Sequence, residues 1–209
     1  MSKTEITGYR WASAELTCAH DYLLPALLDE LASISAAGGG RVFELGCGNG
    51  SVANVLAQQG WDVTGVDPST EGISQANVRY PGLRLEAGSA YDDLVSRYGQ
   101  FPVVTSLEVV EHVYAPRHYA ATLFSLVEQG GTAIVSTPYH GYWKNLALAV
   151  SGKMDAHFTA LWDHGHIKFW SVATLTELLR EAGFTDIRFR RVGRFPALAK
   201  SMIAIAQKP

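Results

Sequence analysis

Apolar residues along this 209-residue chain alternate between the spacing of buried strands and the spacing of helices. Leucines at helical spacing predict one or two helices from about Ser13 to Ser35, ended by Gly38, Gly39 and Gly40. Strands and helices are then predicted in turn: strand Arg41–Leu45, helix Ser51–Gln59, strand Trp61–Val66, helix Glu71–Val78, strand Leu83–Glu86, helix Asp92–Tyr98, strand Val103–Leu107, helix Arg117–Leu126 and strand Thr132–Ser136. This alternation predicts right-handed crossovers and a parallel sheet with helices on both faces.

The last third of the chain departs from this alternation. Residues 138–170 are rich in aromatic side chains and histidine, with one helix-like stretch at Lys144–Val150. A helix at Val172–Ala182 follows, and two strands, Thr185–Val192 and Ala197–Ala206, predict a closing hairpin. The pattern therefore predicts a single α/β domain over residues 1–209. Its doubly wound sheet has seven strands and is mostly parallel, with a C-terminal antiparallel hairpin.

Composition narrows the choice of partner and compartment. A net charge of -3, with 18% charged residues, gives no surface suited to a polyanion, so no nucleic-acid partner is predicted. The arginines at 188, 190, 191 and 194 form a basic concentration, and alternation on the predicted strand Thr185–Val192 favours a solvated face over an RNA-binding track. Cys18 and Cys47 are too few for a disulfide framework, which favours a reducing compartment. No apolar run approaches the ~18 residues of a membrane span. A cytoplasmic protein is therefore predicted, and the sequence favours no particular oligomeric state.

A glycine-rich turn carries the strongest chemical signal. Gly46, Gly48 and Gly50 follow the first strand and open a helix, where glycine permits a tight turn and helix N–H groups can face an anion. Asp67 ends the next strand, at about the distance at which an acidic residue binds a ribose hydroxyl pair. Together they predict a ligand of the adenosine type.

These residues resemble the class I S-adenosylmethionine-dependent methyltransferases, which have a Rossmann-like fold. Glu44 stands two residues before the glycine turn, as in the first motif of that superfamily, and Gly130-Gly131 precede the fifth strand. Gly88-Ser89-Ala90 stand at the adenine position, although the family often has Asp where Ser89 stands. The run Leu107 to His112 looks most similar to the ubiquinone-biosynthesis O-methyltransferase branch, and the resemblance covers Arg41 to Ser136.

The resemblance implies S-adenosylmethionine as the cofactor and small-molecule O-methylation as the activity. It also implies four parts of the domain: N-terminal helices (1–40), a cofactor-binding core (41–136), an acceptor-site insertion (138–170), and a closing helix and hairpin (171–209). It also implies an N-terminal flap over the donor. The implied donor-binding residues are Arg10, Trp11, Glu44, Gly46, Cys47, Gly48, Gly50, Asp67, Pro68, Ser89, Ala90, Leu107, Glu108 and His112.

An alcohol or phenol acceptor must lose a proton, and histidine is the side chain best suited to take it near neutral pH. The candidate bases are His112, His140, His164 and His166. Aromatic side chains between residues 139 and 170 either wall an apolar acceptor pocket or serve as ordinary core.

Three alternatives remain at this point. The histidines of the insertion match no zinc spacing, so no metal is predicted. Some relatives of the ubiquinone branch nevertheless use a divalent metal at the Glu/His run, which leaves Glu108, Glu111 and His112 as an alternative ion site. A nicotinamide-dependent oxidoreductase and a non-catalytic S-adenosylmethionine-binding module are the rival functions.

Overall fold

The computed structural model describes residues 11, 13–35, 40–163 and 165–209. The predicted site residues Arg10 and His164, and the predicted break at Gly38 and Gly39, lie outside these ranges. The elements are α1 (His20–Ile34), β1 (Gly40–Leu45), α2 (Ser51–Gln58), β2 (Trp61–Asp67), α3 (Thr70–Arg79), β3 (Arg84–Ala87), α4 (Leu94–Tyr98), β4 (Phe101–Leu107), α5 (Pro116–Leu126), β5 (Val127–Pro138), α6 (Tyr142–Val150), α7 (Met154–Phe158), α8 (Val172–Glu181), β6 (Thr185–Val192), a short 3₁₀ helix (Pro196–Leu198) and β7 (Ser201–Gln207).

One seven-stranded sheet, in the order β3-β2-β1-β4-β5-β7-β6, organises the molecule. The pairs β1–β2, β2–β3, β1–β4 and β4–β5 are parallel. Strand β7 lies antiparallel to both β5 and β6. The predicted doubly wound sheet with a C-terminal antiparallel hairpin is confirmed. Because the strand order reverses between β1 and β4, the carboxyl ends of these strands flank the crevice where such sheets bind ligands.

The core has two layers, one on each face of the sheet. Successive residues of β1 point to opposite faces, so Val42 packs with the helices α1, α2 and α3 while Phe43 packs with α4, α5 and α8. Both side chains are fully buried. The sheet is thus covered on both faces, which explains why its central strands read as nearly continuous apolar runs.

A single helix, α1, forms within the stretch predicted to hold one or two. The structure corrects two other details of the sequence-based prediction. Strand β7 begins at Ser201 rather than at Ala197, because the segment from Pro196 forms a 3₁₀ turn. A second short helix, α7, lies within residues 138–170, where one had been expected. Among the described residues, no helix has the length and apolarity to cross a membrane.

Candidate active site

The glycine-rich turn joins β1 to α2 at the carboxyl end of the sheet. The backbone N–H groups of Gly46 and Cys47 both donate to the Val66 carbonyl, at 2.8 and 3.0 Å, which fixes the turn against β2. Gly46 has a φ of 90°, and a Cβ there would stand 2.3 Å from Cγ2 of Val109. Any side chain at residue 46 would therefore be strained and would collide with the segment after β4.

Asp67 links this turn to the start of α3. Its Oδ2 accepts a hydrogen bond from the Gly48 N–H at 2.9 Å, and its Oδ1 accepts one from the Ser69 N–H at 2.8 Å. Burial raises the pKa of this carboxyl above its ordinary value, and the two N–H donors counteract part of that rise. Asp67 lines a cavity, and each oxygen keeps a second acceptor site for a ligand hydroxyl.

Glu44 lies behind the turn and is only 2% exposed. Burial, together with the nearby charge of Asp67, raises the pKa of Glu44 to about 8. Its Oε2 has no hydrogen-bond partner among the described residues. Glu44, Cys47, Gly48 and Gly50 are not among the described residues that line the cavity, whereas Gly46 of the same turn lines it.

Trp11 covers the turn from the N-terminal side. A Cβ on Gly48 would stand 2.3 Å from Cζ2 of the Trp11 ring, so the indole packs directly on this glycine. The Trp11 carbonyl accepts a hydrogen bond from Gln75 Nε2 at 2.8 Å, and Asn49 Nδ2 donates to the Ser13 carbonyl at 2.8 Å. Trp11 and Ser13, two described residues before α1, therefore lie against the glycine-rich turn, and Trp11 also contacts α3; Trp11 belongs to the predicted N-terminal flap.

A cavity of about 1510 Å³ opens along this edge of the sheet. Of the predicted donor-binding residues, the following line it: Trp11, Gly46, Asp67, Pro68, Ser89, Ala90, Leu107, Glu108 and His112. The candidate bases His140 and His166 also line it. Since pockets for one drug-sized ligand measure about 300–1,000 Å³, this cavity has room for a donor and an acceptor together.

Glu111, His112 and His166 form the first of two polar clusters, of which the two histidines line the cavity. The ring centroids of His112 and His166 lie 4.8 Å apart, and His166 Nε2 is 4.0 Å from Glu111 Oε1. Glu111 is 1% exposed, and neither of its carboxyl oxygens has a hydrogen-bond partner among the described residues. Burial, with the nearby charge of Glu108, raises the pKa of Glu111 well above its ordinary value. Burial, followed by repulsion from the neighbouring histidines, lowers the pKa of His166 to about 4.

The second cluster surrounds His140, just after β5. Its ring lies 5.4 Å from that of His157, 5.8 Å from that of Phe158 and 5.0 Å from that of Phe169, centroid to centroid. Burial, followed by the charge of Lys144, lowers the pKa of His140 to about 4. The imidazole is therefore neutral at pH 7 and packed among aromatic rings. The segment 138–170 thus supplies both packing and cavity wall.

Glu108 follows β4 in a left-handed backbone conformation, with a φ of 54°. Its Oε1 accepts a hydrogen bond from Ser136 Oγ at 2.8 Å, and its Oε2 accepts one from Ser201 Oγ at 3.4 Å. Burial raises the pKa of Glu108 to about 7, although both hydroxyls and the charge of Lys144 oppose the rise. Strained non-glycine backbone is often found at functional sites, and here it directs the carboxylate toward β5 and β7.

The sequence reasoning overlooked two residues of this wall, Lys144 and Ser201. Lys144 is the single charged residue of α6 and is 9% exposed, and Ser201 is 1% exposed. The sequence signal for Lys144 is that it is the one charged residue of a largely apolar helix-like stretch. No comparable signal marked Ser201, because a serine at the start of a strand is common.

The geometry also bears on the alternative ion site. One potential ligand atom from each of Glu111, His112 and His166 lies within 4.8 Å of the others. Carboxylate and imidazole suit a divalent cation. The grouping includes His166 in place of Glu108, whose carboxylate is held by the two serine hydroxyls.

Comparison with known proteins identifies relatives. A family profile described as a methyltransferase domain matches residues 18–188. A ubiquinone biosynthesis O-methyltransferase of Psychrobacter arcticus is 30% identical over 153 residues, which cover 70% of this chain and 60% of that protein. The enzyme of the same name from Burkholderia pseudomallei is 28% identical over 211 residues, covering 96% of this chain and 88% of that protein. The chain therefore spans less than two thirds of the first relative and most of the second.

Solved structures agree on the fold. The magnesium protoporphyrin IX methyltransferase of Synechocystis, with bound S-adenosylhomocysteine, superposes with a TM-score of 0.66 at 21% identity, covering 90% of this chain and 82% of that one. A putative sarcosine dimethylglycine methyltransferase from Galdieria sulphuraria gives a TM-score of 0.64 at 12% identity, covering 88% and 84%. At these low identities the structural similarity shows the fold alone.

Proposed function

Because this chain belongs to the methyltransferase-domain family and is an S-adenosylmethionine-dependent enzyme, we propose that it methylates an oxygen atom of a small aromatic acceptor. The observation that carries this proposal is the continuity of the cavity, which joins Asp67 and Ser89 on one side to His112, His140 and His166 on the other. The similarity to ubiquinone biosynthesis O-methyltransferases supports oxygen as the acceptor atom.

The residues present fit the donor. The Asp67 carboxylate faces the cavity with unused acceptor sites for ribose hydroxyls, and the glycine turn allows close approach of a ligand. When bound, S-adenosylmethionine supplies an electrophilic methyl group on a sulfonium. The protein must then hold an acceptor oxygen in line with that methyl group and exclude water. Trp11 and the aromatic side chains of segment 138–170 supply this enclosure.

His166 is the side chain we assign as general base. It lines the cavity, and its lowered pKa keeps the imidazole neutral and able to accept a proton, while the buried Glu111 carboxyl lies 4.0 Å from its Nε2. The acceptor O–H proton passes to an imidazole nitrogen as the new O–C bond forms and the electron pair of the C–S bond stays on sulfur. The positive charge thus moves from the sulfonium to the imidazole, and no net charge is created in the buried site.

The test separates donor binding from turnover. Calorimetric titration with S-adenosylhomocysteine is combined with assay of a panel of phenols and catechols with labelled S-adenosylmethionine. We expect His166→Ala to leave donor affinity unchanged and to lower turnover by about 100-fold or more, the usual contribution of a general base. His118→Ala, an exposed histidine of α5, is the matched control and should retain full turnover.

Other outcomes would contradict parts of the proposal. Donor binding without turnover on any acceptor would favour the non-catalytic module, and equal loss of donor binding in His166→Ala would remove the base role. A chelator should leave turnover unchanged. Loss of turnover that added magnesium or zinc restores would assign Glu111, His112 and His166 to a metal instead.

A further inference from the structure

The part of the cavity formed by α6 and the β6–β7 connection is rich in positive charge. Among the described lining residues, four are cationic, namely Lys144, Lys153, Arg194 and Lys200, whereas Asp67 and Glu108 are the two carboxylates. Asp67 belongs to the donor side. The remaining carboxylate, Glu108, already accepts hydrogen bonds from Ser136 and Ser201.

Lys144 differs from the other cations because it is buried, with 9% of its surface exposed. Its Nζ donates to the Lys200 carbonyl at 3.2 Å, which uses one of the three N–H donors of an ammonium group. In the part of the chain that the structure describes, no carboxylate oxygen lies within 4.0 Å of this nitrogen.

A buried ammonium without a close counter-ion is costly, because one hydrogen bond to a carbonyl does not replace the hydration that it loses. Desolvation and repulsion from Arg194 accordingly lower the pKa of Lys144 to about 8, although Glu108 opposes the shift. Such a cost is offset when a ligand brings the missing negative charge. The burial of Lys144 then strengthens the contact, because a charge-assisted hydrogen bond is stronger where water is excluded.

We infer that Lys144 binds a negatively charged oxygen of the methyl acceptor, either a carboxylate or an ionised phenol. This inference rests on the proposed function, since it concerns the acceptor side of the same cavity. Phe158 and Phe169, whose rings lie 4.8 Å apart, line the wall near His140 and suit an aromatic scaffold for that oxygen. The acceptor is thus an acidic aromatic compound rather than a neutral alcohol.

A purely structural role for Lys144 makes a different prediction. If the side chain only ties α6 to the β6–β7 connection through the Lys200 carbonyl, its replacement should alter thermal stability. It should not alter the preference between a charged and an uncharged ligand. The preference ratio is therefore the decisive measurement.

The experiment uses the full chain saturated with S-adenosylhomocysteine, with binding measured by calorimetric titration. One arm compares para-hydroxybenzoate with para-hydroxybenzamide, and the other compares para-nitrophenol, ionised at pH 8, with para-cresol. In the wild-type protein we expect the charged member of at least one pair to bind about tenfold tighter or more, as a charge-assisted bond implies. The arm that shows the preference identifies carboxylate or phenolate as the source of the negative oxygen.

Variants connect the preference to Lys144. In Lys144→Met the ratio should fall to near one, while Lys144→Arg should keep part of it. Lys168→Met is the matched control, because Lys168 lies in the 138–170 segment and is not among the described lining residues. Should Lys144→Met fail to fold, Lys144→Gln serves the same purpose.

The outcomes separate this inference from the proposed function. Failure of S-adenosylhomocysteine to bind would overturn the donor site itself. With the donor product bound, equal affinity for both members of each pair, no binding of any probe at millimolar concentration, or an unchanged ratio in Lys144→Met would each overturn the role of Lys144.

Discussion

At the residue scale, the Asp67 carboxylate both holds the glycine-rich turn by hydrogen bonds and keeps acceptor sites for a ligand. The sequence predicts a carboxylate for ribose hydroxyls at this position, because it ends the strand after the glycine-rich turn. The structure adds two backbone N–H donors, from Gly48 and Ser69, one on each oxygen. Spacing along a sequence reveals the acidic residue but not these bonds, since they depend on the path of the folded turn.

Asp67→Ala is therefore expected to weaken S-adenosylhomocysteine binding by about tenfold or more, since a hydrogen bond to a charged group contributes ~1.5–3 kcal/mol. Calorimetric titration measures the dissociation constant. Asp62→Ala, an exposed residue of the same strand, controls for the loss of a carboxylate and should bind normally. An unchanged dissociation constant in folded Asp67→Ala would rule out the ribose contact.

At the scale of elements, the positions of the helices and strands are largely predictable from the sequence. The side-chain contacts between elements that are distant in the chain are not. The arginines of β6 alternate in sequence and suggest a solvated face. In the structure, the Arg188 and Arg190 side chains are partly exposed, and both also bind Glu30 of α1, which is 6% exposed. Their partner lies 158 and 160 residues earlier in the chain, so no local pattern could indicate it.

This ion cluster ties α1 to the edge strand and gives a prediction for stability. Hydrogen bonding from Arg188, opposed by desolvation, lowers the pKa of Glu30 below its ordinary 4.5. A carboxyl with a lowered folded pKa stabilises the protein above its unfolded pKa and loses that effect as the pH falls through the folded value. Glu30→Gln should lower the free energy of unfolding at pH 7 by ~1.5–3 kcal/mol.

Urea unfolding of wild type and Glu30→Gln over a range of pH measures this difference. It should be constant from neutral pH down to about the unfolded pKa and then shrink in more acid solution. Glu177→Gln, an exposed position on α8, is the matched control and should change little. A difference that persists unchanged through the acid range would show that the Glu30 ion pairs are not its source.

At the scale of the whole molecule, the cavity draws on segments from both ends of the chain. Asp67 ends β2, and Ser89 and Glu108 follow β3 and β4. Because parallel sheets bind ligands at the carboxyl ends of their strands, this wall of the cavity could be predicted. His20 and Tyr22 of α1 and Ser201 of β7 complete the opposite wall. Their place depends on β7 running antiparallel to β5 and on the packing of α1 against β6 and β7, which single-sequence patterns do not specify.

Because the donor side includes residues from the N-terminal segment to β4, donor binding should stabilise the whole fold. A ligand that binds only the folded state at 100 times its dissociation constant adds ~2.7 kcal/mol to the free energy of unfolding. For a chain of this size, that corresponds to a rise in Tm of about 5–11 °C. Differential scanning calorimetry with S-adenosylhomocysteine measures the shift, and NAD⁺ serves as the control that tests the oxidoreductase alternative. A shift with NAD⁺ and none with S-adenosylhomocysteine would place a nicotinamide cofactor at Asp67, whereas the glycine spacing and the family match lead us to expect the reverse.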